Sequence, residues 1–238
     1  MKRVFLLVLI CFAPSAIFSI DVSTQQKIYE TAGFEYYAED SNDYSELIDL
    51  IEKKNKEFQN IFKKKVGKIQ VYIFQDQISF SKHVFNSDVP VQNATGLADH
   101  VSMKFYITSF YDTCKPKTRL MQTPIHELVH IYFPSGYIWI REGIACYYAE
   151  MLYEVSLNEL PFRLAELRFY IDGIEETKKA YNFSGWIIKY IIEEICHNDI
   201  YKFTEFAENP DDFTLLGFCD EDDFFDSWQT YMKAKITL

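Results

Sequence analysis

The sequence predicts an α+β fold, a small sheet followed by a mostly helical half, and three observations predict it. Two short stretches in the first half, residues 69–74 and 104–110, are rich in β-branched and aromatic residues. Helical spacing dominates everything after Thr118. No Ser/Gly/Pro-rich linker, internal repeat or low-complexity block interrupts the 238 residues, so a single domain over residues 20–238 is expected.

Taken in order, the first segment has the form of a leader. Met1-Lys2-Arg3 is followed by an apolar run to Phe12 and then by Ala13-Pro14-Ser15-Ala16, which is the charged start, short apolar core and small-residue exit of a secretory signal peptide over residues 1–19. The run is too short and broken for a membrane span. The expected location is therefore secreted or periplasmic, with no stable membrane association after cleavage. Cys11 follows Ile10 where a lipoprotein signal needs a small residue, so no lipid anchor is expected. No obvious prosegment follows, the one stretch able to shield a cleft being residues 20 to about 45.

Residues 45–62 carry Leu47, Ile48, Ile51, Phe58 and Ile61 at helical spacing, with lysines on the other side. Residues 69–74 read as a strand and 77–85 as a short helix. In residues 104–110, Phe105, Ile107 and Ser109 alternate with Tyr106, Thr108 and Phe110, which marks a second strand.

The run His126-Glu127-Leu128-Val129-His130 lies in the helical half. Positions four apart share a helical face, so both histidines can present imidazole nitrogens to one metal ion. Glu127 is rotated by about 100° from His126, which suits it to accept a proton from a metal-bound water rather than to bind the ion. A catalytic zinc site usually takes three protein ligands and keeps a fourth position open. Glu142 is the expected third ligand. The histidine helix should stop at Pro134-Ser135-Gly136, and a second helix starting near residues 137–139 would return antiparallel with Glu142 one turn in. Helices packed about 8–10 Å apart leave room for a shared ion. Gly143 would let these two backbones approach closely.

HExxH followed by Trp139-Ile140-Arg141-Glu142-Gly143-Ile144-Ala145 resembles the gluzincin clan of zinc metallopeptidases, in particular its small peptidase-MA-like members. The resemblance implies a zincin-like catalytic domain, His126, His130 and Glu142 as ligands of one Zn2+, and Glu127 as general base. It also implies a peptide or protein substrate. A metzincin assignment fails, because Phe133 and Gly136 stand where that family needs glycine and a third histidine. In thermolysin-like relatives an acidic residue one turn after the glutamate supports the first histidine, and here that position is Cys146. A small buried side chain is the expected role of Cys146, with competition for the metal as the alternative.

Two further elements follow from the resemblance. The stretch from Gly96-Leu97-Ala98 through Thr108 sits where these enzymes place an edge strand that pairs with extended substrate, and the strand at 104–110 is expected to take that role. Tyr181 precedes a helix expected over 184–196 and is the candidate donor to the oxyanion. His83 and His197 are weaker candidates. The run Asp220-Glu221-Asp222-Asp223 reads as a helix N-terminus, with a calcium site as the alternative.

Charge and cysteines bound the partners. Loss of Lys2 and Arg3 with the leader takes the formal charge from −11 to −13, which argues against nucleic acid or an anionic membrane as the main partner. Four cysteines remain, Cys114, Cys146, Cys196 and Cys219, allowing up to two disulfides. The sequons at Asn93 and Asn182 matter only where secreted proteins are glycosylated. The expectation is an exported zinc-dependent peptidase. Its alternative is an exported zincin-fold binding protein without catalysis.

Overall fold

The computed structural model describes residues 20–91, 94–113, 115–167 and 174–236, with side chains of the last span from residue 177 onward. The leader expected over residues 1–19, the sequon asparagine 93 and Cys114 lie outside the described residues.

Five strands form one mixed sheet: β1 (Gln26–Glu30), β2 (Phe34–Ala38), β3 (Ile69–Phe74), β4 (Gly96–Asp99) and β5 (Lys104–Thr108), in spatial order β1-β2-β3-β5-β4. Two hairpins, β1–β2 and β4–β5, are joined through the parallel pairs β2–β3 and β3–β5. The first parallel connection runs through helix α1 (Ser45–Ile61) and the second through α2 (Gln77–Phe85). One face of the sheet is the core. Tyr36, Val71 and Phe105 lie side by side, as do Ala38, Ile73 and Ile107, all buried. Leu47, Ile51 and Phe58 of α1 and Leu128 and Val129 of helix α3 (Lys117–Tyr132) belong to the same apolar cluster. The other face carries stacked rings of Tyr37, Tyr72 and Tyr106 and a smaller cluster with Phe80 and Val84 of α2.

The helical half comprises α3 (Lys117–Tyr132), α4 (Ile138–Tyr148), α5 (Ile174–Tyr190), α6 (Ile200–Glu208) and α7 (Glu221–Ile236). A π-turn over Ile191–Ile195 extends α5. The mixed α+β order is thus the one the sequence predicts. Among the described residues, no helix is long and apolar enough to cross a membrane.

Three expectations need correction. Residues 26–38 do not shield a cleft: they form the hairpin at the sheet edge opposite β4. The strand at 104–110 ends at Thr108 and is interior, because Gly96–Asp99 pairs along its outer side and takes the edge position instead. The helix expected over 184–196 begins ten residues earlier, so Tyr181 lies inside α5 rather than before it.

The acidic run behaves as predicted for a helix start. Asp220 accepts a hydrogen bond from the Asp223 amide (2.9 Å), and Asp223 accepts one from the Cys219 amide (3.0 Å). The first bond satisfies an amide donor that α7 would otherwise leave open, the second ties the entering chain to its first turn, and the carboxylates lie at its positive end. Cys146, Cys196 and Cys219 are free thiols.

Candidate metal centre

Helix α3 owes its buried face to Ile125, Leu128, Val129 and Tyr132, and its orientation to Tyr132, whose hydroxyl donates to Asn55 Oδ1 on α1 (2.5 Å). The remaining stripe, at spacings of three and four, carries Arg119, Thr123, His126, Glu127 and His130. The helix ends at Tyr132 because Phe133, which precedes Pro134, leaves the helical region (φ −129°, ψ 74°). After that turn α4 returns with Trp139, Ile140, Ile144 and Ala145 buried. This places Glu142 opposite the histidines.

Oε2 of Glu142 lies 3.3 Å from Nε2 of His126 and 3.5 Å from Nε2 of His130, and the donor atoms of all three residues fall within 4.8 Å of one another. Two donors bound tetrahedrally to one ion at about 2 Å lie roughly 3.3 Å apart. The two carboxylate–imidazole separations match that spacing. Two imidazole nitrogens and one carboxylate oxygen also leave a fourth position open, as in a catalytic rather than a structural centre. Glu142 is fixed from its other oxygen, Oε1, which accepts from Arg141 Nε at 3.1 Å. That contact leaves Oε2 facing the imidazoles.

Burial dominates the electrostatics. It pushes the His126 imidazole down to about 4, against the opposing hydrogen bond in which Glu142 accepts. It also pushes Glu127 up to about 7, with the positive charge of His130 opposing. Burial works against protonation of His130 as well, but there the Glu142 carboxylate and its hydrogen bond outweigh it, and the net shift is upward. Glu142 shows the converse balance: burial would raise it, and the two histidines hold it well below the usual carboxylate range.

Glu127 occupies a space left by Gly96. A Cβ on Gly96 would meet Glu127 Oε1, Thr123 Cγ2 (2.6 Å) and Glu127 Cγ (2.8 Å). Only glycine lets the edge strand β4 pass this close. Thr95 and Thr123 hold the strand there through their hydroxyls, 3.0 Å apart.

Cys146 is buried between α4 and α3, with Sγ 4.0 Å from Nδ1 of His126. It faces the ring nitrogen that does not point to Glu142, so it stands outside the group of metal donors. Burial pushes the thiol pKa up, which keeps the sulfur neutral. Gly143 has a different purpose from the expected one. Its missing Cβ would collide with Ser184 O (2.7 Å) and Ile188 Cγ1 (2.6 Å), so it brings α4 onto α5 rather than onto α3.

That contact sets the place of Tyr181, whose ring centroid is 6.4 Å from that of His126. The other candidate histidines stay apart. His83 packs on Phe74 and faces Asp21 and Glu39, and His197 follows the π-turn in a left-handed conformation (φ 50°). The sequon at Asn182 is occupied structurally. Asn182 Nδ2 donates to Tyr153 O (3.1 Å), and Ser184 is fully buried.

Residues that sequence reasoning missed include Gly96, Thr123, Arg119 and His100. Burial lowers the pKa of His100, and the charges of Arg141 and His130 act in the same direction. Gly96 and His100 come near the site through tertiary structure, whereas Thr123 and Arg119 share the helical stripe of the histidines. The position of Arg119, one heptad before His126 on the same stripe, was available from spacing. No protein-family model and no curated protein sequence matches this chain.

Proposed function

We propose that this protein is an exported zinc-dependent peptidase with a zincin-like fold, hydrolysing peptide bonds in peptides or proteins outside the cytoplasm. The observation that carries the reading is the convergence of the donor atoms of His126, His130 and Glu142 within 4.8 Å of one another, with Glu127 adjoining His126 on the same helix. The leader at residues 1–19 supports export.

Zinc held by these three residues would supply Lewis acidity at the scissile carbonyl and make water a stronger acid. The chain's own groups do the rest. Glu127, with a pKa raised to about 7, is suited to accept the proton of the attacking water and return it to the leaving amine near neutral pH. Tyr181, beside His126, is the candidate donor to the oxyanion. The open edge of β4, running alongside Glu127, offers backbone groups for an extended substrate strand. Arg141 keeps Glu142 from turning away from the histidines.

The near-complete burial of Glu127 and Glu142, at 6% and 4% exposed, favours one second reading, an exported binding protein that keeps the metal but does not turn over substrate. Metal content and hydrolysis of a mixed peptide library by the mature protein and Glu127→Gln separate the two. One equivalent of zinc in both, with chelator-sensitive cleavage only by the parent, is the expected result. Zinc in both without cleavage favours the binding protein. A folded sample that takes up no zinc when reconstituted overturns the site.

A further inference from the structure

Arg119 lies on the metal-facing stripe of α3, seven residues before His126 and eight before Glu127. At 1.5 Å per residue this is about 10–12 Å along the helix. Its guanidinium carbon sits 5.3 Å from the centroid of the Tyr153 ring, and its Nη1 donates to the Tyr153 hydroxyl. Tyr153 is itself held firmly. Its amide donates to Asn182 Oδ1 (2.9 Å), while its carbonyl accepts from Asn182 Nδ2 (3.1 Å) and Trp186 Nε1 (3.0 Å).

A phenol is neutral, so it orients the guanidinium without cancelling its charge. Among the described residues, Arg119 has no carboxylate within 4.0 Å, in a chain with 35 acidic and 24 basic side chains. The other two arginines of the described residues are paired, Arg141 with Glu142 and Arg163 with Asp222. Arg119 is partly exposed and Tyr153 half exposed, so the pair is reachable from solvent. The positive charge is felt at His126 and Glu127.

We propose that Arg119 and Tyr153 form a subsite for a substrate carboxylate, supplied by an acidic side chain or by a free C-terminus. A guanidinium matches a carboxylate with two parallel hydrogen bonds, and a guanidinium already held by the Tyr153 hydroxyl loses little freedom on binding one. An extended peptide advances about 3.3–3.6 Å per residue, so the recognised group lies within about three residues of the bond at Glu127. The inference rests on the peptidase reading for its substrate, but its test does not need turnover.

Binding is measured with zinc-loaded Glu127→Gln protein and fluorescent peptides matched in sequence, bearing Glu/Asp or Gln/Asn, each with a free or an amidated C-terminus. The expected result is at least tenfold tighter binding of one carboxylate class, which names the source of the charge. That preference should vanish in the added Arg119→Gln variant and survive in part in Arg119→Lys, with zinc stoichiometry unchanged. In the parent background, Arg119→Gln should raise KM for the favoured peptides about tenfold and leave kcat within about twofold. Equal affinity for charged and neutral peptides, a preference that survives Arg119→Gln, or no binding of any peptide overturns the subsite. Cleavage without charge preference would sink the subsite and leave the peptidase standing. Arg119-dependent binding without cleavage would do the reverse.

Discussion

The thiol of Cys146 stands against Nδ1 of His126, 4.0 Å away, while Nε2 of the same ring faces Glu142. A histidine that ligates through Nε2 carries its proton on Nδ1, and that proton needs an acceptor to fix ring and tautomer. Sulfur is a weak acceptor, but here it is the neighbour present and it is neutral. Replacing it with alanine should weaken zinc binding about tenfold, the lower end of what such supporting partners contribute. Cys146→Ser should stay within about threefold of the parent. Competition against a fluorescent chelator checks both, and equal affinities for all three proteins would reduce Cys146 to a filler between helices.

Gly96→Ala is expected to keep zinc and lose activity. The new methyl group has no room beside Thr123 and Glu127, and the flexible end of Glu127 is what yields first. A general base moved by about 1 Å costs on the order of 10²-fold in rate. The measurement is kcat alongside zinc stoichiometry. A fully active variant would mean that the carboxylate works from another position.

How much of this was legible in advance depended on whether a residue's role is local. The strand Ile69–Phe74 and the helix Gln77–Phe85 match the sequence reading residue for residue, because their patterns match their own burial. The histidine pair follows from one helix and Glu142 from the breaker after it. Strand β1 escaped notice because all five of its residues are exposed and it has no apolar face to announce it. The start of α5 was misplaced for a related reason. Asn182-Phe183-Ser184-Gly185 looks like a helix cap, yet Asn182 reaches across to Tyr153 and Gly185 makes room for Leu152 and Cys146. Glycine 96 and arginine 119 are meaningful only once β4 and the Tyr153 segment are folded against α3.

Gly143→Ala tests the support behind the site. The added Cβ would fall 2.7 Å from a backbone oxygen, Ser184 O, which cannot swing aside as a side chain can. Overpacking of this kind costs about 1–3 kcal/mol. Because Gly143 adjoins Glu142, the displaced helix should also weaken zinc binding. Urea unfolding of the metal-free protein measures the first effect and chelator competition the second. Unchanged stability would show that α4 and α5 are free to separate.

The raised pKa of Glu127 makes a statement about stability in the metal-free protein. Its carboxyl titrates near 7 when folded and near 4.5 when unfolded, so the folded state holds the proton more tightly between those values. Stability from this group is complete below about pH 4.5 and is lost as pH rises through 7, a change on the order of 3 kcal/mol. His130, also raised, acts in the same direction, whereas Glu142, held low, contributes stability that is lost as pH falls. Glu127→Gln removes the first contribution together with the part of the His130 shift that the Glu127 charge supplies. The chelator-treated variant should therefore unfold at a higher temperature than the parent at pH 8 and approach it at pH 4.5. Calorimetry across that range decides the matter, and a gap that stays constant with pH would mean that Glu127 is solvated and titrates as an ordinary carboxylate.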